Sequence, residues 1–379
     1  MFRCIDELPA HEVRGKRVLV RAGFDLPLDE KGEVSDFFRV KRSAETLRYL
    51  SERGARVIVL SHIGRDSEET NASVSRALMR EITHHYVSDL TGRLATDAVR
   101  AMRDGEVLLL ENLRSDSREV ANDTGFAQEL ASLGELYVGD AFSAAHRAHA
   151  SISELPKLLP HYAGLLMRDE VTHLRRARVP NRPSFAILGG AKFETKAPLI
   201  KTLLGSYDHL FVTGALANDV FRAQGFPIGR SRVSDEMPAP HILHHPHFLA
   251  PVDVTIERSD GHAYTKKPHT IEPDDKIVDI GPDSVRLVAP YLEKAAFILW
   301  NGPTGLYEDG FTSYTHAIGE ILARRVEAGA SVIIGGGDTI AALKEGGIAE
   351  ERLGFLSTGG GAMLEYLLDG TLPGIEALK

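Results

Sequence analysis

Ten short apolar segments are the feature that most constrains the fold of this 379-residue chain. Most of them are continuously apolar rather than alternating, and each stops on glycine, a charged residue or a small polar residue. Such runs are typical of strands that are buried on both faces, as in parallel sheets. The predicted strands are residues 17–24, 56–63, 106–112, 135–142, 184–190, 209–215, 276–281, 296–302, 331–337 and 352–360.

Helix-like segments lie between most of these strands, for example residues 40–55 and 312–330. Their apolar positions recur at helical spacing, and each segment ends near a glycine. Alternation of strands and helices predicts an α/β protein with two doubly wound parallel-sheet lobes. A charged helical stretch broken by two prolines separates the lobes. We expect a first lobe of residues 1–165, a connecting helix and linker of 166–183, and a second lobe of 184–361.

The overall charge of −9 argues against a general nucleic-acid binder. No apolar run approaches the ~20 residues that a membrane span needs, and the N-terminus lacks a signal-peptide pattern. The one cysteine, Cys4, fits a reducing compartment. The sequence therefore predicts a soluble cytoplasmic protein without nucleic-acid or membrane partners.

The candidate functional residues of the second lobe lie in glycine-rich segments at the ends of the predicted strands. In residues 189–196, GGAKFETK, the glycines follow a predicted strand, and Lys192 and Lys196 stand one helical turn apart. Glycine at such a place lets backbone N–H groups approach phosphate oxygens. The two ammonium groups could hold a transferring phosphoryl group and a nucleotide phosphate, although glycines after strands are often simply turns. No Walker A loop is present in the sequence.

Three further stops point to the same chemistry. Asp338 follows three glycines, as a magnesium-nucleotide ligand would, or else it only caps the next helix. Glu308 lies a few residues past a strand, where a carboxylate commonly accepts ribose hydroxyls. The run 357–361, STGGG, places small N–H donors at a helix start, which suits charge on a transferring phosphoryl group or forms a flexible hinge.

Basic side chains take the corresponding positions in the first lobe. Arginine is well suited to bidentate binding of carboxylate and phosphate. A single basic residue at a strand end would be read as an ordinary surface charge. Several basic residues recur at strand ends here, in a chain of net negative charge, and this recurrence predicts an anionic substrate. The pattern favours a two-lobed phosphotransferase. The candidate residues are Arg21, Arg39, His62, Arg65, Arg114 and Arg147.

These motifs, in this order, resemble the phosphoglycerate kinase family almost from end to end. The resemblance implies two lobes that close about a hinge, use of Mg²⁺, a monomer, and a C-terminal segment 362–379 that completes the first lobe. It implies phosphoryl transfer between ATP and the carboxylate of 3-phosphoglycerate, giving 1,3-bisphosphoglycerate and ADP.

The resemblance also implies residue roles. The five basic residues Arg39, His62, Arg65, Arg114 and Arg147 would bind the acid substrate, with Arg21, Gly23 and Asp25 beside them. Lys192 would follow the phosphoryl group, with Arg39, Gly360 and Gly361 also catalytic. The implied nucleotide contacts are Gly190, Lys192, Lys196, Gly214, Asn301, Pro303, Glu308, Gly337, Asp338 and Thr339, of which Asp338 would also bind the metal.

The chain departs from the family pattern at the first strand, where the family has R-x-D-F-N-x-P. Gly23 replaces the acid that contacts the substrate 2-hydroxyl, and Asp25 replaces the asparagine near the substrate carboxylate. An added carboxylate repels an anion. Two acceptors therefore stay open, 3-phosphoglycerate and a related phospho- or phosphono-carboxylate. A non-catalytic nucleotide-binding protein is a third hypothesis, against which the retained lysines and Asp338 argue.

Two milder departures concern the second lobe. Thr213-Gly214-Ala215 stands where the family has a triple glycine in the adenine pocket, and this run is expected to narrow the space near the base. Phe355 replaces the histidine of the hinge motif. A dinucleotide-binding oxidoreductase is not favoured, because the first strand is not followed by G-x-G-x-x-G.

Overall fold

The structure is a computed structural model that describes residues 2–64 and 68–379. By its internal contacts the chain divides into two compact units. Unit 1 comprises Met1–Thr172 and Asp369–Lys379, and unit 2 comprises His173–Leu368.

Unit 1 contains a six-stranded parallel sheet with the order β3-β4-β2-β1-β5-β6. The central strand pairs Val20 with Val59 of β2 and with Val138 of β5. All three valines are fully buried, because helices cover the sheet. The strands are β1 (Arg17–Ala22), β2 (Arg56–Leu60), β3 (His85–Tyr86), β4 (Val107–Leu109), β5 (Leu136–Asp140) and β6 (His161–Ala163).

The helices of unit 1 follow local sequence signals. In the helix that begins at Phe37, the Asp36 carboxylate caps the first turn by accepting from the N–H groups of Phe38 and Arg39. The buried stripe of that helix includes Val40, Ala44 and Leu47. The helices are α1 (Ala10–Val13), α2 (Phe37–Glu52), α3 (Ala72–Leu78), α4 (Arg93–Ala101), α5 (Ser117–Val120) and α6 (Thr124–Ala131).

Helix α7 (Leu165–Arg178) includes the boundary between the units, and α15 (Pro373–Glu376) belongs to unit 1. In unit 2, the helices are α8 (Phe193–Ser206), α9 (Ala215–Ala223), α10 (Pro240–Leu243), α11 (Pro282–Leu292), α12 (Ser313–Glu327), α13 (Gly337–Glu345) and α14 (Gly361–Asp369), whose last residue falls in unit 1.

Unit 2 contains a second six-stranded parallel sheet, with the order β15-β14-β13-β7-β8-β9. A separate three-stranded sheet with the order β11-β10-β12 is antiparallel. The strands are β7 (Ser184–Leu188), β8 (His209–Val212), β9 (Phe248–Leu249), β10 (Val254–Glu257), β11 (Ala263–Lys266), β12 (Lys276–Ile280), β13 (Phe297–Asn301), β14 (Ser331–Gly335) and β15 (Phe355–Leu356).

The predicted fold class is confirmed, and each of the ten predicted segments contains a strand. The segment 276–281 differs from the others, because its strand β12 pairs antiparallel with β10 rather than joining the parallel sheet. Within the described ranges no helix combines the length and the apolar character needed to cross a membrane.

Candidate functional site

A cavity of about 240 Å³ in unit 2 lies where strands of the parallel sheet end. Gly190 follows β7, Gly214 follows β8, and Pro303 follows β13, and all three line the cavity. Ligands of α/β sheets bind beyond the carboxyl ends of the strands. Much of the wall is apolar; the apolar side chains are Ala191, Ala215, Ala217, Pro251, Val254, Ile277, Val278, Ile280, Pro303 and Leu306.

Backbone packing explains the glycines of this edge. A Cβ atom added to Gly302, whose φ is +94°, would lie 2.5 Å from the carbonyl carbon of Gly189. The Gly189 N–H in turn donates to the Asn301 carbonyl at 2.7 Å. The two strand-end loops therefore touch through their backbones, which only glycine permits. This close approach holds the cavity edge in place without any side chain.

Two predicted carboxylates reach the cavity. Glu308 and Asp338 are both exposed and both among the lining residues. Asp338 lies in the first turn of α13, and the space around the Cβ position of Gly337 is open. Within residues 2–64 and 68–379, no three or more His, Cys, Asp or Glu side chains are grouped so as to hold a metal ion. A Mg²⁺ ion thus fits beside Asp338 only if phosphate oxygens complete its coordination, as is usual for this ion.

The two predicted lysines stand at the start of α8, outside the cavity lining. Lys192 is the N-cap residue, exposed, with a left-handed backbone of φ +65°. A non-glycine residue in that conformation is strained, and such strain often accompanies functional sites. Lys196 is half-buried, and burial lowers the pKa of its ammonium group to about 8. The helix start thus presents two ammonium groups in different environments.

Two further predicted nucleotide contacts, Asn301 and Thr339, are buried and are not among the residues that line the cavity. Asn301 is buried, and its side-chain amide donates to Met363 Sδ at 3.8 Å. Thr339 is fully buried, and its hydroxyl accepts from the Gly302 N–H at 3.1 Å. Asn301 and Thr339 therefore support the strand-end loops from inside the protein. The third predicted contact, Gly337, is exposed at the start of α13, directly before Asp338.

Thr213 and Trp300 also lie behind the cavity. Thr213 is not among the lining residues, and its buried hydroxyl donates to the Thr304 carbonyl at 3.3 Å, whereas Gly214 and Ala215 of the same run do line the cavity. Trp300 is fully buried, and its indole N–H donates to the Gly302 carbonyl at 2.7 Å. This tryptophan therefore belongs to the core of unit 2.

The glycine run before α14 has the expected place at a helix start. Gly360 has a φ of +53°, and the helix begins at Gly361. The N–H of Gly359, however, donates to the Ser357 hydroxyl at 3.1 Å. That donor is therefore used inside the loop, whereas the predicted catalytic residues are Gly360 and Gly361.

In unit 1, the predicted basic residues form a group that we call the cation cluster, whose described members are Arg21, Arg39, His62, Arg114 and Arg147. Arg21 is fully buried, and its Nη2 donates to His62 Nδ1 at 2.8 Å. Its Nε donates to Ser151 Oγ at 2.8 Å, and that hydroxyl donates to the buried Glu119 carboxylate at 2.6 Å. Arg21 therefore lies on the buried side of the cluster, and its hydrogen bond orients the His62 ring.

Asp25 lies among these cations. Its Oδ2 is 3.5 Å from His62 Nε2 and 4.0 Å from Arg147 Nη1. Burial alone would raise the pKa of Asp25, but the hydrogen bond to His62 and the nearby arginines outweigh it and lower this pKa to about 2. Burial, together with the charge of Arg21, lowers the pKa of His62 to about 3. At neutral pH, Asp25 is an anion and His62 is neutral.

Two other members of the cluster are held through backbone carbonyls. Arg39 Nη1 donates to the Asp25 carbonyl at 3.0 Å, while its Nε pairs with Asp36 at 3.4 Å. Arg114 Nη1 donates to the Gly64 carbonyl. The predicted contact Arg65 lies outside the described residues.

Gly23 is buried against the loop that follows β5. A Cβ atom at this position would lie 3.2 Å from Ser143 Oγ and 3.5 Å from Ala141 Cα. Ser143 therefore occupies the space that a longer side chain at position 23 would need. An acid at this position requires the serine hydroxyl to move.

Comparison with known proteins identifies the family. The family model described as phosphoglycerate kinase matches residues 6–370. A phosphoglycerate kinase from Granulibacter bethesdensis is 42% identical over 398 residues, covering 100% of this chain and 99% of its own length. One from Coprothermobacter proteolyticus is 40% identical over 385 residues, covering 97% of each chain.

The chain belongs to the phosphoglycerate kinase family. Solved structures agree: a phosphoglycerate kinase from Coxiella burnetii matches with a TM-score of 0.82 at 31% identity, covering 100% of this chain and 99% of its own. One from Pyrococcus horikoshii matches with a TM-score of 0.86 at 28% identity, covering 100% and 98%.

The phosphoglycerate kinase motifs did not reveal every residue of the cavity. Lys276 and Asp279 line it from β12, and burial raises the pKa of Asp279 to about 7. The segment 276–281 was recognised as a strand, but its side chains were not assigned to a site. The other unpredicted polar lining residues are Asn218, Arg232, Thr304 and Tyr307.

Phe355, which takes the position of the histidine in the phosphoglycerate kinase hinge motif, has a histidine partner of its own. The ring of His173 stacks on it with a centroid distance of 4.0 Å and an interplanar angle of 10°. An imidazole is therefore present at this place in unit 2 although the motif histidine is replaced.

Proposed function

We propose that this chain transfers a phosphoryl group reversibly between ATP and 3-phosphoglycerate, giving ADP and 1,3-bisphosphoglycerate. The observation that carries the proposal is the family match over residues 6–370. As a member of that family, the chain is a kinase with a carboxylate acceptor. Relatives that match over nearly their full length bear the same name, so a different acceptor class is not favoured.

The nucleotide-binding part of the proposal rests on unit 2. The apolar cavity would take the base, with Gly190, Gly214 and Pro303 at its edge. Glu308 would accept the ribose hydroxyls, since an exposed carboxylate beside such a cavity is suited to that task. Lys196 would hold a nucleotide phosphate, because an ammonium group in a partly desolvated place attracts an anion strongly.

The metal part of the proposal rests on Asp338. This carboxylate would hold Mg²⁺ together with phosphate oxygens, and the bound ion would neutralise charge on the phosphates. The exposed side chain and the open space at Gly337 support this assignment.

The acid-binding part of the proposal rests on the cation cluster of unit 1. Arg39, Arg114 and Arg147 would hold the phosphate and carboxylate groups of the acceptor, because guanidinium groups pair well with both. Arg65 belongs to this set by its motif. Arg21 would act through His62, since its donors are used inside the protein.

The chemical step needs no general base, because a carboxylate is already ionised at neutral pH. The acceptor oxygen forms a bond to the γ-phosphorus while the bond from that phosphorus to the β–γ bridging oxygen breaks, and ADP leaves. Lys192 and the N–H groups of Gly360 and Gly361 would stabilise the transferring group. Catalysis then consists of positioning and electrostatic stabilisation.

A cytoplasmic location and a monomeric state complete the proposal. The single buried cysteine, Cys4, supports a reducing compartment. Size-exclusion chromatography with light scattering would test the monomer.

The full chain, with ATP, MgCl₂ and 3-phosphoglycerate, is tested for ADP formation with hydroxylamine present to trap the acyl phosphate. We expect ADP and the hydroxamate to form only when 3-phosphoglycerate is present. Lys192→Met should abolish most of the turnover, whereas Lys201→Met, an exposed lysine of the same helix, should not. ATP hydrolysis that is independent of the acid, with no hydroxamate, would contradict the proposal.

A further inference from the structure

The Asp25 carboxylate lies within 4.0 Å of both His62 and Arg147 in unit 1. Its side chain is 37% exposed, so solvent and a bound acid can both reach it. The negative charge of Asp25 lies among the arginines that would bind the anionic acceptor. This position calls for an explanation, because Asp25 and the acceptor carry charges of the same sign.

The hydrogen-bond pattern fixes which donors face Asp25. Arg21 can only donate, so His62 Nδ1 accepts from it and the neutral ring carries its proton on Nε2. That Nε2–H faces Asp25 Oδ2 at 3.5 Å, while Arg147 Nη1 lies 4.0 Å from the same oxygen and 3.5 Å from His62 Nε2. The His62 donor and the Arg147 charge of the cation cluster therefore both face a carboxylate of the protein itself.

We propose that Asp25 is a specificity-determining residue that competes with the anionic acceptor for the donors of His62 and Arg147. This inference rests on the proposed function, because it assumes that the cation cluster takes an acid substrate. When the acid binds, either the Asp25 carboxylate loses its contacts with His62 and Arg147, or it stays in place and lies beside the negatively charged acid. Either event weakens binding, because like charges a few ångströms apart repel even near a protein surface.

The neighbouring Gly23 determines how the inference can be tested. Restoring an acid at position 23 would press on Ser143 and would change more than charge, because the added Cβ lies 3.2 Å from its hydroxyl oxygen. Asp25→Asn alone keeps the shape, removes the negative charge and adds an N–H donor. It is therefore the cleaner variant.

The test is calorimetric binding of 3-phosphoglycerate to the full chain, to Asp25→Asn and to a charge-matched control, Asp97→Asn. Asp97 is an exposed carboxylate of α4 that pairs only with exposed arginines of its own helix. We expect Asp25→Asn to bind the acid about tenfold more tightly, and Asp97→Asn to bind like the native chain. Asp25→Ser, checked by circular dichroism, gives the same comparison if the asparagine variant does not fold.

Turnover with ATP separates this inference from the proposed function. We expect Asp25→Asn to lower KM for 3-phosphoglycerate more than it changes kcat, since Asp25 acts on binding. Equal or weaker binding by both Asp25 variants would overturn the inference even if the native chain is active. Tighter binding without any turnover would support the inference and count against the proposed function.

Discussion

Unit 2 forms its cavity edge mainly from backbone, whereas unit 1 forms its cation cluster from side chains that hold one another. At the cavity edge, Gly189 and Gly302 meet without side chains. In the cluster, Arg21, Ser151 and Glu119 form a buried network on which His62 rests. Backbone geometry is thus decisive in one unit, and charge balance is decisive in the other.

The largest expected effect concerns the buried charge of unit 1. Arg21→Met should lower the free energy of unfolding by about 3–5 kcal/mol, because it leaves Glu119 buried without its cationic neighbour. Hydrogen exchange of the amides of β1 would measure the loss. Arg17→Met on the same strand removes a more exposed pair with Glu135 and should cost less than about 1 kcal/mol. Equal losses in the two variants would contradict the proposed role of charge balance.

The second prediction concerns catalysis by the cluster. Arg39→Ala should lower kcat by about 10²–10³-fold, as removal of a group that stabilises developing charge does. Initial rates with saturating ATP and 3-phosphoglycerate measure it. Arg42→Ala, on the same helix but paired with Glu45, should change kcat much less. A similar fall in both variants would indicate general damage to α2.

The third prediction moves to the backbone of unit 2. Gly302→Ala should cost about 2–3 kcal/mol of stability, because the added carbon meets Gly189 and the φ of +94° disfavours alanine. Gly310 also has a positive φ but has open space around it, so Gly310→Ala should cost only about 1 kcal/mol. Hydrogen exchange of β13 in both variants separates the two contributions. If both variants lose the same amount of stability, the close packing of the two loops does not contribute to the free energy of unfolding.

The smallest expected effect is a pH dependence of nucleotide binding. Below pH 8 the Lys196 ammonium is charged and attracts phosphate, and above pH 8 it loses its proton. If the charged form is required, the Kd for ADP rises about tenfold between pH 7 and pH 9. Titration calorimetry measures this dependence. Lys196→Arg should flatten it, because guanidinium stays protonated, and an unchanged slope would show that another group titrates.

The sequence predicts most strands of the parallel sheets, because these strands are buried on both faces. It misses the short edge strands β3, β6 and β9. It does not reveal β10 and β11, whose residues alternate between buried and partly exposed or are mostly exposed. Continuous apolar runs were the signal used, and an antiparallel hairpin with one open face lacks that signal. The segment with Lys276 and Asp279 was predicted as a strand, but its place beside the cavity depends on its antiparallel pairing with β10, which the sequence does not reveal.

The sequence also predicts which residue types belong to the site better than what they contact. Asp338 and Glu308 reach the cavity as expected, whereas Thr339 and Asn301 support it from behind. Spacing along the chain places a residue at a strand end, but it does not decide whether its side chain faces the cavity or the loop beneath. That choice depends on packing between loops that are distant in sequence.

The buried indole of Trp300 has a spectroscopic consequence. It is the one tryptophan of the chain, and it is hydrogen-bonded to the Gly302 carbonyl beside the cavity edge. Tryptophan emission from the unmodified protein therefore reports on unit 2 alone. A denaturation curve recorded by emission would follow that unit, while the ten tyrosines and the helices would report on the whole chain.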